Sequence, residues 1–246
     1  MGLVIKGKKV IGLVLNGKKI LGEAKNGKVI WRFIDSKPWK FAADSNVNSV
    51  AVDSSGNIYA GTYGNYVYKL DASGTQVWQF TADNWVLSVA VDSSGNVYAG
   101  TYGNSVYKLD ASGKQVWCFG ADDAVCSVAV DSSGNVYAGT YSHSVYKLDA
   151  SGTQLWKFTA DNIVRSVAVD SSGNVYAGTH GPSVYKLDAS GTQVWQFTAD
   201  NIVRSVAVDS SGNIYAGTQG NYVYKLNASG TQVWKFTADN KVDHHS

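Results

Sequence analysis

The side chains of this 246-residue chain that could do chemistry are few. His143 and His180 offer ring nitrogens for metal or proton work, and Cys118 and Cys126 are its two thiols. Asp-Ser-Ser-Gly-Asn recurs at Asp53, Asp92, Asp131, Asp170 and Asp209 and offers clustered oxygens. A calcium loop needs a denser set of carboxylates, so this motif reads as an Asx-capped turn with its glycine at positive φ. A tightly held metal needs three or four convergent ligands. Two histidines in adjacent repeats do not supply them, and no metal is expected. No Ser-His-Asp order, nucleophile elbow or phosphate loop is present. A catalytic site needs unlike residues converging, whereas nearly every acid here recurs as a turn residue. No catalytic residue, no cofactor and no enzymatic activity are therefore expected. Cys118 and Cys126 fall on an outer fourth strand and the following inner first strand. A bridge between them is not expected. They read as free thiols of a reducing compartment.

The elements that must position these groups form a tandem repeat. The turn motif steps by 39 residues, and so do Trp78, Trp117, Trp156, Trp195 and Trp234. Five copies run from Asp44 to Ala238, with 26 of 39 columns identical throughout. In the copy Asp83–Ala121, Leu87–Val91, Val97–Thr101, Ser105–Leu109 and Gln115–Phe119 are short runs rich in β-formers, separated by Gly, Asn and Asp turns. That is a four-stranded meander. One meander cannot bury both of its faces, but face-to-face stacking around an axis can. The expected fold is an all-β propeller. Composition agrees. Eighteen Asp stand against the single Glu23, which favours turns over helices. Hydrophobic residues make up 44% and aromatics 12%, enough for a core and too much for disorder.

The stretches Val97-Tyr-Ala-Gly-Thr, Val106-Tyr-Lys-Leu-Asp-Ala-Ser-Gly and Trp117-Cys-Phe resemble the repeat of pyrroloquinoline-quinone-like propellers. Ser88-Val-Ala-Val-Asp-Ser-Ser-Gly-Asn-Val is similar to NHL-type repeats. The resemblance implies a propeller. It covers enzymes, assembly factors and pure binding scaffolds alike. Quinoprotein dehydrogenases of this kind usually carry eight blades, a signal peptide and catalytic inserts. Five copies without inserts imply a scaffold.

Residues 1–43 read as a divergent first blade and residues 44–246 as the five-repeat propeller. Lys6-Gly7-Lys, Asn16-Gly17-Lys and Asn26-Gly27-Lys are hairpin signals ten residues apart. Strands are expected near Lys9–Leu15, Lys18–Ala24 and Lys28–Ile34, with Pro38–Ala43 as the fourth, because Trp39-Lys-Phe41 matches the fourth-strand column. This arithmetic favours six blades. The alternative is five blades with an appended hairpin module, and these lysine-rich repeats resemble hairpin segments of phage tail and baseplate proteins. Residues 1–36 hold eight Lys/Arg against two acids, net +6, and the remainder 13 against 17, net −4. The basic segment suggests lysines guarding hairpin edges or a docking site for an assembly partner. No nucleic-acid partner is expected, since no basic-aromatic platform accompanies it. The longest early apolar run, Val10–Leu15, is short and broken by Gly12. No signal peptide, transmembrane segment or membrane partner is expected. A cytoplasmic or virion-associated location follows.

Seven of the 13 variable columns fall in the fourth-to-first and second-to-third connections, which share one rim of a propeller. The candidate ligand-binding residues there are Tyr63, Tyr66, Trp85, Tyr102, Cys126, Tyr141, His143, Arg165, His180, Arg204, Gln219 and Tyr222. Aromatic faces beside polar donors suit a carbohydrate or protein ligand. The expectation is a lectin-like or receptor-recognition scaffold. The alternatives are a phage-like structural component and a recently amplified propeller with no selected ligand.

Overall fold

A computed structural model describes the strand backbone of residues 3–5, 8–15, 18–25 and 28–34, and residues 39–238 in full. The chain divides into two compact units, Met1–Phe41 and Ala42–Ser246.

The first unit holds an antiparallel meander of β1 (Leu3–Ile5), β2 (Lys8–Leu15), β3 (Lys18–Lys25) and β4 (Lys28–Ile34). The expected strand at 38–43 is not formed. Residues 39–43 carry no strand, and Pro38 lies outside the described residues. Leu3–Ile5 takes the fourth place instead, at the opposite edge of the sheet. The register explains this. Ile5 pairs with Lys8, Leu15 with Lys18 and Lys25 with Lys28. The three strand pairings recur at a ten-residue period, so four strands are in place by Ile34.

The second unit holds five four-stranded antiparallel blades. They are β5–β8 (Val47–Val52, Ile58–Thr62, Tyr66–Leu70, Gln76–Thr81), then β9–β12 (Val86–Val91, Val97–Thr101, Ser105–Leu109, Gln115–Gly120). Next come β13–β16 (Val125–Val130, Val136–Thr140, Ser144–Leu148, Gln154–Thr159) and β17–β20 (Val164–Val169, Val175–Thr179, Ser183–Leu187, Gln193–Thr198). The last is β21–β24 (Val203–Val208, Ile214–Thr218, Tyr222–Leu226, Gln232–Thr237). Every blade pairs its strands in chain order. Among the described residues there is no helix, and so none long and apolar enough to cross a membrane.

The Asp-Ser-Ser-Gly-Asn turn closes the first hairpin of each blade. The Asp53 carboxylate accepts the backbone N–H of Ser55 and Asn57, both at 2.9 Å, the Asn57 amide at 2.8 Å and the Tyr59 hydroxyl at 3.1 Å. Gly56 sits at φ 82°, where a side chain would be strained. The carboxylate oxygens are engaged within the blade, which is what a cap needs and not what a cation needs.

The core lies between blades. The strand-two glycines admit the valines of the following blade. A Cβ on Gly139 would stand 2.5 Å from Val164 Cγ1, and one on Gly100 would stand 2.6 Å from Val125 Cγ1. Each tryptophan of the first four blades reaches forward in the same way. Trp78, Trp117, Trp156 and Trp195 donate to the carbonyls of Ala111, Ala150, Ala189 and Ala228, each at 3.1 Å.

Among the described residues of this unit, the first and last blades each carry an exposed face. β5, β9, β13, β17 and β21 adjoin in order, and among the described residues no comparable packing joins β21 to β5. Val89, Val128, Val167 and Val206 are 6–8% exposed, whereas their first-blade counterpart Val50 is 63% exposed. In the last blade Trp234 and Phe236 are exposed, at 41% and 59%.

Candidate binding site

The site is built where strand one enters each blade. In every blade the pairing of strands one and two shifts by one residue, leaving Asn48, Leu87, Cys126, Arg165 and Arg204 as the extra residue of a β-bulge. A bulge bends the strand and re-aims the side chain it carries. Asn48, Leu87, Cys126 and Arg165, from four successive blades, turn into one cleft of about 250 Å³ that Tyr63 and Tyr141 complete.

The two variable connections of each blade are tied together by one backbone hydrogen bond. Tyr63 donates to Asn46, Tyr102 to Trp85, Tyr141 to Ala124, His180 to Ile163 and Gln219 to Ile202, at 2.7–3.0 Å. This places side chains from both loops side by side. Tyr63 and Trp85 lie 5.0 Å apart by ring centroid, Trp85 and Tyr102 5.3 Å, and Tyr102 and Tyr141 6.3 Å. The Arg165 guanidinium ends the row, 4.8 Å from the Tyr141 centroid, with Nη1 donating to the Tyr141 hydroxyl at 3.0 Å. Tyr63, Trp85 and Tyr102 are 40–49% exposed, so a ladder of rings faces outward across blades one to three and ends at a cation in blade four.

The cationic side continues. Arg204 donates to the side-chain carbonyl of Gln219 in its own blade. His180 is held below the ordinary imidazole pKa by burial, then by the charges of Arg165 and Arg204. Burial pushes the Cys126 thiol up to about 11, with Arg165 opposing and Asp123 reinforcing the shift. A thiol in that state is a packing residue and not a nucleophile at neutral pH. Both cysteines are free.

Other rim residues stand apart from the ladder. His143 takes φ 68° at the exposed tip of a turn, where Asn65, Asn104 and Asn221 stand in other blades. Its role there is conformational, since Asn and His tolerate the left-handed region better than most residues. In the fourth blade Pro182 occupies that position and cannot adopt positive φ. Tyr66 packs on Tyr68 at 5.8 Å, and Tyr222 lies under Lys235 at 3.5 Å. In the middle blades the same column holds Ser105, Ser144 and Ser183, whose hydroxyls donate to Asp83, Asp122 and Asp161. Asn48 and Leu87 line the cleft although the sequence reading did not single them out. The available signal was a variable position held between invariant Val and Ser on a strand.

A wider hollow of about 390 Å³ lies at the opposite rim between the Asp170 and Asp209 turns. It is the less chemical site, because both carboxylates already accept hydrogen bonds within their own turns. Those turns make stability depend on pH. Asp53 and Asp209 are held at about 2, each first by the side-chain amide of the turn asparagine. An unfolded aspartate titrates near 4. A depressed carboxylate stabilises the fold above its unfolded pKa and loses that contribution as pH falls to the folded value. The melting temperature should therefore drop steeply between about pH 4 and pH 2, read by circular dichroism. A flat profile across that window would show that the turns do not carry the acid sensitivity.

No curated protein matches the chain. The family model described as outer membrane protein assembly factor BamB, of the PQQ-type repeat class, matches residues 20–142 and 141–245. With five blades of one repeat and most of its length matched, the chain belongs to this family of PQQ-like β-propeller proteins.

Proposed function

We propose that this protein is a non-catalytic binding scaffold, lectin-like in its mode of recognition, that takes its ligand on the variable rim. One observation carries the reading. Bulges on successive blades turn a variable column into a single cleft, and an outward-facing aromatic ladder runs beside it. Exposed aromatic rings pair apolar faces with polar edges, which suits sugars and protein patches. Loops on a rigid scaffold are where recognition tends to sit. The scaffold keeps its polar groups engaged in turns, while the rim carries the residues that differ.

A glycan array combined with a surface-peptide screen tests this. At least one ligand is expected to lose about tenfold in affinity, or about 1.4 kcal/mol, with Trp85→Ala or Tyr102→Ala. Failure to find any ligand weakened by either substitution sinks the reading. The basic segment 1–36 supports a separate role in docking an assembly partner, net +6 against the −4 of the remainder. Deleting it should abolish assembly and leave rim binding intact.

A further inference from the structure

We infer that the rim ligand is an acidic saccharide, with its carboxylate seated at Arg165 and its sugar faces on the ladder from Tyr141 back to Tyr63. The inference rests on the rim-binding reading above and names the ligand class.

The cations of the propeller are used in two ways. Six of the eight blade lysines are occupied internally. Lys69, Lys108, Lys147 and Lys186 each donate to an alanine carbonyl of the next blade at 3.0–3.3 Å. Lys157 and Lys235 pair with Asp122 and Asp200. The two arginines of the repeats are different. Both sit on bulges at the rim, and among the described residues neither has a carboxylate partner. Arg165 Nε is the one buried side-chain nitrogen or oxygen without a hydrogen-bond partner among the described residues. The Asp123 carboxylate, which also acts on Cys126, accepts the backbone N–H of Ala124 at 2.7 Å and forms no ion pair with Arg165. An unneutralised cation cluster thus stands on an otherwise acidic unit, and a fixed guanidinium suits a carboxylate better than a lysine would.

The ligand must also use what lies beside the cation. The ladder offers three half-exposed ring faces, with Asn48 in the adjoining cleft, where its amide nitrogen donates to the Val86 carbonyl at 3.0 Å and its side-chain oxygen is left to accept. Apolar faces flanked by hydroxyl and amide groups match a pyranose, which has C–H faces and hydroxyl edges. Arg165 is held in place before any ligand arrives, by its stack and hydrogen bond on Tyr141, so little side-chain freedom is lost on binding.

Calorimetric titration of the full chain with trigalacturonate, its methyl ester and a tri-aspartate peptide tests the inference. The ester keeps the sugar and removes the charge. Trigalacturonate should bind at least tenfold more tightly than the ester, and its affinity should fall as salt is raised. Arg165→Gln should cost about tenfold toward the acid and leave ester binding unchanged. Arg204→Gln, at an exposed position, should weaken acid binding without disturbing the fold. Equal binding of acid and ester, both weakened by Trp85→Ala, would overturn the anionic class and leave the rim reading standing. Binding of the peptide alone would overturn the saccharide class. No binding of any of the three probes would overturn this inference, while the array decides the rim reading separately.

Discussion

Val128→Asp should unfold the propeller at temperatures where Val50→Asp leaves it intact. The two valines hold the same column of the repeat. Val128 is 7% exposed against the second blade, whereas Val50, in the first blade, is 63% exposed. At Val128 the substitution removes the side chain's burial, worth roughly 1.5–3 kcal/mol, and puts an unpartnered carboxylate in its place. A loss of about 4 kcal/mol or more follows, and at about 2–4 °C per kcal/mol the melting temperature should fall by about 10 °C. At Val50 the carboxylate stays in water, and the change should lie within about 0.5 kcal/mol. Thermal melts of the two variants at neutral pH measure the difference. Equal losses would mean that the first face is covered in solution.

Gly139→Val and Gly217→Val should separate in the same sense for a different reason. A Cβ at Gly139 would meet Val164 Cγ1 at 2.5 Å and its Cβ at 3.1 Å, so the fourth blade would have to move off the third. Overpacking of this kind costs about 1–3 kcal/mol, and a clash with a β-branched side chain on a neighbouring sheet belongs at the upper end. At Gly217 a Cβ would meet only Ser205 Oγ at 3.0 Å, a hydroxyl of the same blade that can rotate away. Valine also suits a strand better than glycine does. Gly217→Val should therefore be neutral to slightly stabilising. Denaturant titrations with a common slope would show the contrast. Comparable midpoints would remove the close approach as the reason for glycine in this column.

Both predictions show where local reasoning stops. The meander, its turns and its repetition are short-range features. Asp92 and Asn96 hold their turn through hydrogen bonds that span two to four residues, with Gly95 at φ 80° between them. The N-terminal sheet shows how a correct signal can be miscounted. The three hairpin signals are in the sequence, but Trp39-Lys-Phe41 imitates the fourth-strand column and draws the last strand to the wrong end. Pairing settles it, because Leu3–Ile5 meets β2 in register. Rim variability was legible too, as a list of unlike residues in two loops. Which of them meet was not. Tyr66 and Tyr222 share the rim with Trp85 but pack on Tyr68 and Lys235, while Asn48 and Leu87 join the cleft.

By itself, then, the sequence determined the strand period, the turns, the blade unit and its five-fold recurrence in residues 44–238, because these rest on contacts within a few residues or between identical neighbours. Tertiary structure alone decided that one residue per first strand is bulged toward a common cleft, and that Tyr63, Trp85, Tyr102 and Tyr141 form a ladder ending at Arg165. It also decided that identical valines are buried in one blade and exposed in another. These depend on groups 20 to 40 residues apart in the chain, brought within about 6 Å only when one blade is laid on the next.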